Sequence, residues 1–288
     1  LMGFVMRRVP QHRIGLALGL VSAGGSAGQL VLALSGAALI TFAGWQAALL
    51  GFGVLTLAVL PLSRALRGSP AAADATITAA QPAVHAGSAL REPTYWLLTF
   101  GFFVCGFHVS FLTTHMPSVI ELCGLPTTFS GLWLAIVGAC NIGGSLAAGW
   151  IGQRYSMKVL LGWVYALRAL GVTLFVISPP SQPVLLGFAL WMGITYMATL
   201  PPTTGLIGKL YGARNVATLF GITMLMHQVG GFLGVWLGGL ELELTGGYRW
   251  VWLLDILLAL AAALVHVPIR EPGDSTAVAT RLRAAAAR

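Results

Sequence analysis

Eight long apolar runs, set apart by short breaks of charge, Pro or Gly, constrain this sequence more than any other feature. They lie at 14–40, 45–63, 94–120, 128–152, 159–178, 183–207, 215–240 and 249–268. A helix that crosses a bilayer needs roughly 20 predominantly apolar residues, and each run supplies about that many. Helix is preferred to strand because only helices and closed barrels satisfy the backbone in lipid, and barrel strands would be short and alternate apolar with polar residues. These runs do not alternate. Of the 288 residues 57% are hydrophobic and 8% charged, whereas a soluble chain is roughly a quarter charged. The expectation is an all-α polytopic membrane protein with about eight transmembrane helices.

Charge placement tests that count. Alternating sides from Arg7, one side collects Arg7, Arg8, Arg13, Arg64, Arg67, Arg91, Arg154, Lys158, Lys209, Arg214, Arg270, Arg281, Arg283 and Arg288, and the other only Arg249. Arg168 falls inside a helix. A missed or invented span would mix the two sets, so the division supports eight spans and places both termini in the cytoplasm. The formal charge of +8 therefore reflects topology. No basic cluster with helix-turn-helix spacing or interleaved aromatics points to nucleic acid. Cys105, Cys123 and Cys140 lack CxxC or Cys/His spacing, so neither a metal site nor a disulfide framework is expected, and no cofactor.

The longest hydrophilic stretch, 68–92, contains Pro70 and Pro82 and an Ala/Thr-rich middle. Lacking apolar periodicity, it reads as a flexible cytoplasmic linker. It divides a leading part, 1–67, from a six-helix part, 93–270, that ends in a disordered Ala/Arg tail at 271–288. A weak repeat relates the two parts. Gly24-Gly25-Ser26-Ala27-Gly28 leads to Gly44-Trp45, and Gly230-Gly231-Phe232-Leu233-Gly234 leads to Gly246-Gly247-Tyr248. The repeat sets the first two helices opposite the last two and so predicts four further helices at the front. An apolar stub that opens on Leu1 and ends at Arg7-Arg8 agrees with a chain entered inside a helix.

Gly149-Trp150-Ile151-Gly152-Gln153-Arg154-Tyr155-Ser156-Met157-Lys158 resembles the cytoplasmic loop signature of the major facilitator superfamily. Gln153 stands where that signature has Asp. Within the superfamily, Arg91-Glu92-Pro93, His115-Met116-Pro117 and Arg270-Glu271-Pro272, with Arg13-Ile14-Gly15-Leu16-Ala17-Leu18-Gly19 and Gly44-Trp45, resemble the bacterial branch of the monocarboxylate and oxalate/formate porters. The resemblance covers about 1–272. It implies an incomplete major facilitator fold: the last two helices of the N-terminal bundle plus the complete C-terminal bundle of six. It further implies a secondary transporter in a bacterial inner (plasma) membrane, moving a small organic solute such as a monocarboxylate or related organic anion by alternating access with protons as coupling ion. Animal relatives carry an acid and, four residues on, an arginine where this chain has Asn141 and Ser145, so no carboxylate-binding arginine transfers to that place.

Transporter sites of this kind lie near the bilayer midplane, about 13 residues or roughly 20 Å of helix from either end. Ser26, His108, Asn141, Tyr196 and His227 satisfy that depth, and Ser145 joins Asn141 as a cavity candidate. Histidine titrates near neutrality, which makes His108 and His227 candidates for proton coupling. His115 shares the face of His108 nearer the outer surface, where it could serve an outer gate. Arg168 needs a buried partner, and Asp255 is expected to pair with it. Gly24, Gly28, Gly230, Gly234 and Gly238 suit close helix packing, and Pro201-Pro202 should interrupt their helix. No Walker lysine motif supports ATP-driven transport. Two rival readings are an intramembrane enzyme, disfavoured by the absence of Gly-x-Ser-x-Gly and His-Glu-x-x-His, and a noncatalytic membrane scaffold, which would not require polar residues at midplane.

Overall fold

The computed structural model describes residues 2–65, 86–126 and 128–271. Most of the proposed linker and the tail lie outside these residues. The described elements are α1 (Met2–Arg8), a single 3-10 turn (Gln11–Arg13), α2 (Ile14–Leu57), α3 (Val59–Ala65), α4 (Ala86–Ala89), α5 (Pro93–Leu122), α6 (Thr128–Arg154), α7 (Met157–Ile177), α8 (Gln182–Thr195), α9 (Leu200–Tyr211), α10 (Val216–Thr245) and α11 (Arg249–Val265). No strand occurs among them. Seven segments are long and apolar enough to cross a membrane. The expected eighth span is α11, whose 17 residues reach about 26 Å at 1.5 Å per residue, the short end of spanning length.

α2 contains 44 residues, about 66 Å of helix and twice a hydrocarbon thickness, so it cannot cross in one pass. Gly44 resolves this with φ 80° and ψ 165°, a conformation that suits glycine because it has no Cβ. The chain turns back there, and the halves meet with Phe52 beside Gly36 and Leu39 beside Gly51. The two leading runs are therefore two spans joined at one residue. The end of the expected linker departs from coil: Ala86–Ala89 forms a helical turn, with Ala89 fully buried.

The six-helix part is held by close helix pairs. α5 runs along α10, α6 along both α2 and α8, and α7 along α11. At the α5–α10 crossing, a Cβ on Gly106 would lie 1.9 Å from the His227 carbonyl oxygen, and one on Gly230 would lie 2.0 Å from that of Phe103. Only glycine permits this approach, which brings backbone against backbone without a hydrophobic driving force between helices in lipid. Polar contacts reinforce the seam: Tyr95 OH donates to Leu219 O at 2.8 Å, and the Thr99 and Thr223 hydroxyls are 3.2 Å apart. α11 receives its N-terminal cap from a distance. The buried Glu241 carboxylate accepts from Trp250 N and Val251 N, both at 2.7 Å, placing negative charge where the first helical N–H groups lack partners.

Candidate functional site

The expected interruption near Pro201-Pro202 is present, one turn early: α8 stops at Thr195 and α9 resumes at Leu200. The two prolines occupy the first turn of α9, where a missing N–H does no harm. Two side chains from other helices take up the backbone groups released at the break. Arg168 Nη2, from α7, donates to Thr195 O and Tyr196 O, each at 2.6 Å. Asn141 Oδ1, from α6, accepts from Met197 N at 2.9 Å.

Asn141 also ties this break to α2. Its Nδ2 donates to Ser26 Oγ at 2.8 Å, and Ser26 Oγ donates to Ser22 O at 3.0 Å. Ser22 Oγ donates to Ser145 Oγ at 3.1 Å, and Ser145 Oγ reaches Asn141 Oδ1 at 3.4 Å. All four side chains are buried. Ser26, Asn141 and Ser145 thus meet in one network. Ser22 completes it; its position one turn before Ser26 was the available sequence signal, mirroring Asn141 and Ser145 on the facing helix.

Asp255 and Arg168 depart from expectation. Their helices are neighbours, but no hydrogen-bonded ion pair joins the two side chains. His108 Nδ1 instead donates to Asp255 Oδ2 at 2.6 Å, and Met192 Sδ lies 3.3 Å from His108 Nε2. The physical reason is the helix break, which draws the Arg168 guanidinium to its freed carbonyls and leaves the carboxylate to the imidazole. Arg168 Nε and Nη1 and Asp255 Oδ1 have no hydrogen-bond partner among the described residues.

Tyr196 OH donates to Val109 O at 3.1 Å and lies 2.9 Å from Thr113 Oγ1. His227 Nδ1 contacts the neighbouring Gln228 Oε1 at 3.1 Å, and its ring sits 4.8 Å from that of Phe102. His115 is buried, with Nε2 donating to Val235 O at 2.9 Å and Nδ1 accepting from Tyr248 OH at 3.1 Å. The six cavity candidates therefore form separate clusters: the α2–α6 network, His108 with Asp255, Tyr196 with Thr113, and His227 with Gln228.

Near the loop between α6 and α7, Gly149 packs on α2, where a Cβ would lie 2.4 Å from Gly15 O. Gly152 is buried one turn later, and the Arg154 guanidinium lies 4.2 Å from the centroid of the Trp150 ring. Gln153 cannot supply the acid of the loop signature. Beside this loop, Glu271 accepts from Lys209 Nζ and Ser156 Oγ at 2.7 Å each and from Lys158 N at 3.4 Å. The sequence motif Arg270-Glu271-Pro272 contained this residue, but nothing in its spacing indicated a seat more than 110 positions earlier.

Apolar spanning helices around buried polar clusters, one helix being discontinuous and held by side chains from its neighbours, define an integral membrane protein built like a transporter. The sequence pattern of the Major Facilitator Superfamily matches residues 1–235 and 127–287; the chain belongs to that superfamily. It is 29% identical over 266 residues to YcxA, an uncharacterized MFS-type transporter of Bacillus subtilis, with 89% of this chain and 65% of the relative covered. It is 26% identical over 283 residues to monocarboxylate transporter 11 of Homo sapiens, covering 92% and 58%. Identity to monocarboxylate transporter 13 of Rattus norvegicus is 24% over 278 residues, covering 91% and 62%. The chain thus spans 58–65% of the length of these relatives, which are transporters and not enzymes.

Proposed function

We propose that this chain supplies the six-helix C-terminal bundle (93–270) and two helices of the opposite bundle (1–67), joined by the linker at 68–92, to a secondary transporter working by alternating access. The observation that carries this reading is the discontinuous α8–α9 helix, with Thr195 O and Tyr196 O held by Arg168 and Met197 N held by Asn141. Broken helices expose backbone groups where a solute or ion crosses, and their side-chain partners let the break change shape without leaving orphaned groups in lipid. The Ser22/Ser26–Asn141/Ser145 network joins that break to the leading helices, so movement between bundles is transmitted to it.

The solute is a small organic molecule. A monocarboxylate is the first candidate because the relatives include monocarboxylate transporters. His108 and Asp255 are the proposed proton site. The imidazolium form would use both ring nitrogens, Nδ1–H toward the carboxylate and Nε2–H toward the Met192 sulfur, and losing the proton removes the charge that balances Asp255. His227 is a second coupling candidate and His115 an outer gate candidate. The membrane is taken to be the bacterial inner membrane, with both termini cytoplasmic.

The test is uptake of a labelled short-chain monocarboxylate by proteoliposomes carrying the chain extended by the upstream helices that its repeat predicts. An inward proton gradient should accelerate accumulation. His108→Gln and Asp255→Asn should abolish the acceleration while leaving exchange down the solute's own gradient. Absence of accumulation by the extended protein would overturn the transport reading, and an unaltered gradient response in both variants would overturn the proton site.

A further inference from the structure

Arg168 carries more charge and more donors than its neighbours use. A guanidinium has five N–H bonds. Nη2 gives its two to Thr195 O and Tyr196 O, and the three on Nε and Nη1 have no acceptor among the described residues. The side chain is 1% exposed. None of the buried carboxylates among the described residues bonds it: Asp255 bonds His108, Glu241 caps α11 and Glu271 holds Lys209. A buried cation without a bonded counter-ion is costly, and it attracts any anion that can reach it.

The surroundings of this cation favour negative charge. The Cys105 thiol, from α5, packs beside the guanidinium and beside His227, and its Sγ lies 3.2 Å from Thr199 Oγ1. Thr199 is the N-cap residue of α9, yet its hydroxyl does not cap the helix; it meets the thiol instead. The N-terminus of α9 adds a partial positive charge at the same place. On another side the Tyr165 ring stands 5.3 Å from Arg168 Cζ. A guanidinium, a helix N-terminus and a hydroxyl thus converge on a thiol, a weak acceptor that satisfies none of them well.

We infer that Arg168 and Thr199 form a carboxylate-binding subsite at the α8–α9 break, in which the solute's carboxylate accepts from the free guanidinium N–H groups and from the Thr199 O–H, displacing the Cys105 thiol. The inference rests on the transport reading and deepens it by placing the anionic group of the solute. The described conformation closes this site, so the carboxylate enters as α5 and the break part. Because the same guanidinium holds Thr195 O and Tyr196 O, an anion that draws on it also acts on the end of α8. Binding therefore reaches the discontinuous helix without an intermediary.

The test uses the extended protein in lipid nanodiscs, with Cys123, Cys140 and any upstream cysteine replaced by serine so that Cys105 is the single thiol. Infrared difference spectra follow its S–H stretch while acetate, or its uncharged counterpart acetamide, is titrated in. Acetate should shift the band saturably, and acetamide at equal concentration should leave it in place. Arg168→Lys keeps the charge but loses the guanidinium donors, and should raise the acetate Kd about tenfold or more. Thr199→Val keeps the shape and should raise it about fivefold. The valine variant leaves the contacts to Thr195 O and Tyr196 O in place, so it carries the test where Arg168→Lys gives no single symmetric gel-filtration peak. No shift with acetate, an equal shift with acetamide, or an unchanged Kd in Thr199→Val would overturn the subsite. So would the absence of an S–H band before acetate is added, which would make a Cys105 thiolate the counter-ion of Arg168. Uptake of labelled acetate by the same preparation separates the two claims: uptake without a band shift sinks the subsite and leaves transport, and a saturable shift without uptake does the reverse.

Discussion

Replacing Asn141 by leucine tests the network that joins α2, α6 and the helix break. The substitution is close in volume, so the loss is one of hydrogen bonds. The bond from Asn141 Nδ2 to Ser26 Oγ, at 2.8 Å, is an interhelical bond in the membrane, worth ~0.6 kcal/mol on average and up to ~1.7. The Met197 N–H, 2.9 Å from Asn141 Oδ1, lies at the break between α8 and α9 and would become a buried orphan costing ~1–3 kcal/mol. Ser26 is spared the second penalty because its own proton goes to Ser22 O. Asn141→Leu should therefore destabilise by about 1.6–4.7 kcal/mol, a roughly 15- to 3,000-fold change in the unfolding constant. Ser26→Ala removes the same bond and leaves the buried Asn141 Nδ2–H without its acceptor, so it should cost a comparable ~1.6–4.7 kcal/mol. The assay is reversible unfolding in mixed micelles of the single variants and of the double variant. The double should be no less stable than Asn141→Leu alone, because the bond to Ser26 is already lost. Strictly additive costs would refute the network.

Gly106→Ala drives a Cβ into the His227 carbonyl and should destabilise by ~1–3 kcal/mol through overpacking. In the same unfolding assay, Gly221→Ala, whose Cβ would meet nothing within 4 Å, should stabilise by up to ~1 kcal/mol. Glu241→Gln leaves one acceptor oxygen for the two N–H groups at Trp250 and Val251 and should cost about 1–2 kcal/mol in that assay. Its failure to do so would remove the remote cap. Cys123 lies just past the outer end of α5 in the proposed orientation, and burial raises its thiol above the ordinary value. A membrane-impermeant maleimide should label it in intact cells, slowly at neutral pH and faster as rising pH generates thiolate; labelling only after permeabilisation would invert the topology.

The spans were legible because hydrocarbon imposes a one-dimensional rule. Each crossing must be long, apolar and helical, and its flanking charges sort by side. For the same reason the break ahead of Pro201-Pro202 and the turn at Gly44 left local marks, although Gly44 makes its turn in one residue without a loop. The depth argument selected Ser26, Asn141 and Ser145, and it selected His108, because polar residues stand out against an apolar run. It passed over Gln228 and Thr113, which lie in the same helices as His227 and His108 and carry no titratable group.

Sequence alone determined the solvent of this protein, the approximate bounds of its apolar spans, and the polar residues each carries inside. Tertiary structure decided the partners. Asp255 hydrogen-bonds His108 and not Arg168, Arg168 holds the carbonyls of a broken helix, and Glu271 reaches back to Ser156 and Lys209. A helix presents side chains all around its axis, and periodicity tells which residues share a face but not which neighbour that face meets. In lipid, where every outer surface is equally apolar, that choice falls to contacts that local pattern does not encode: a glycine that lets two backbones touch, and a carbonyl left free by a break.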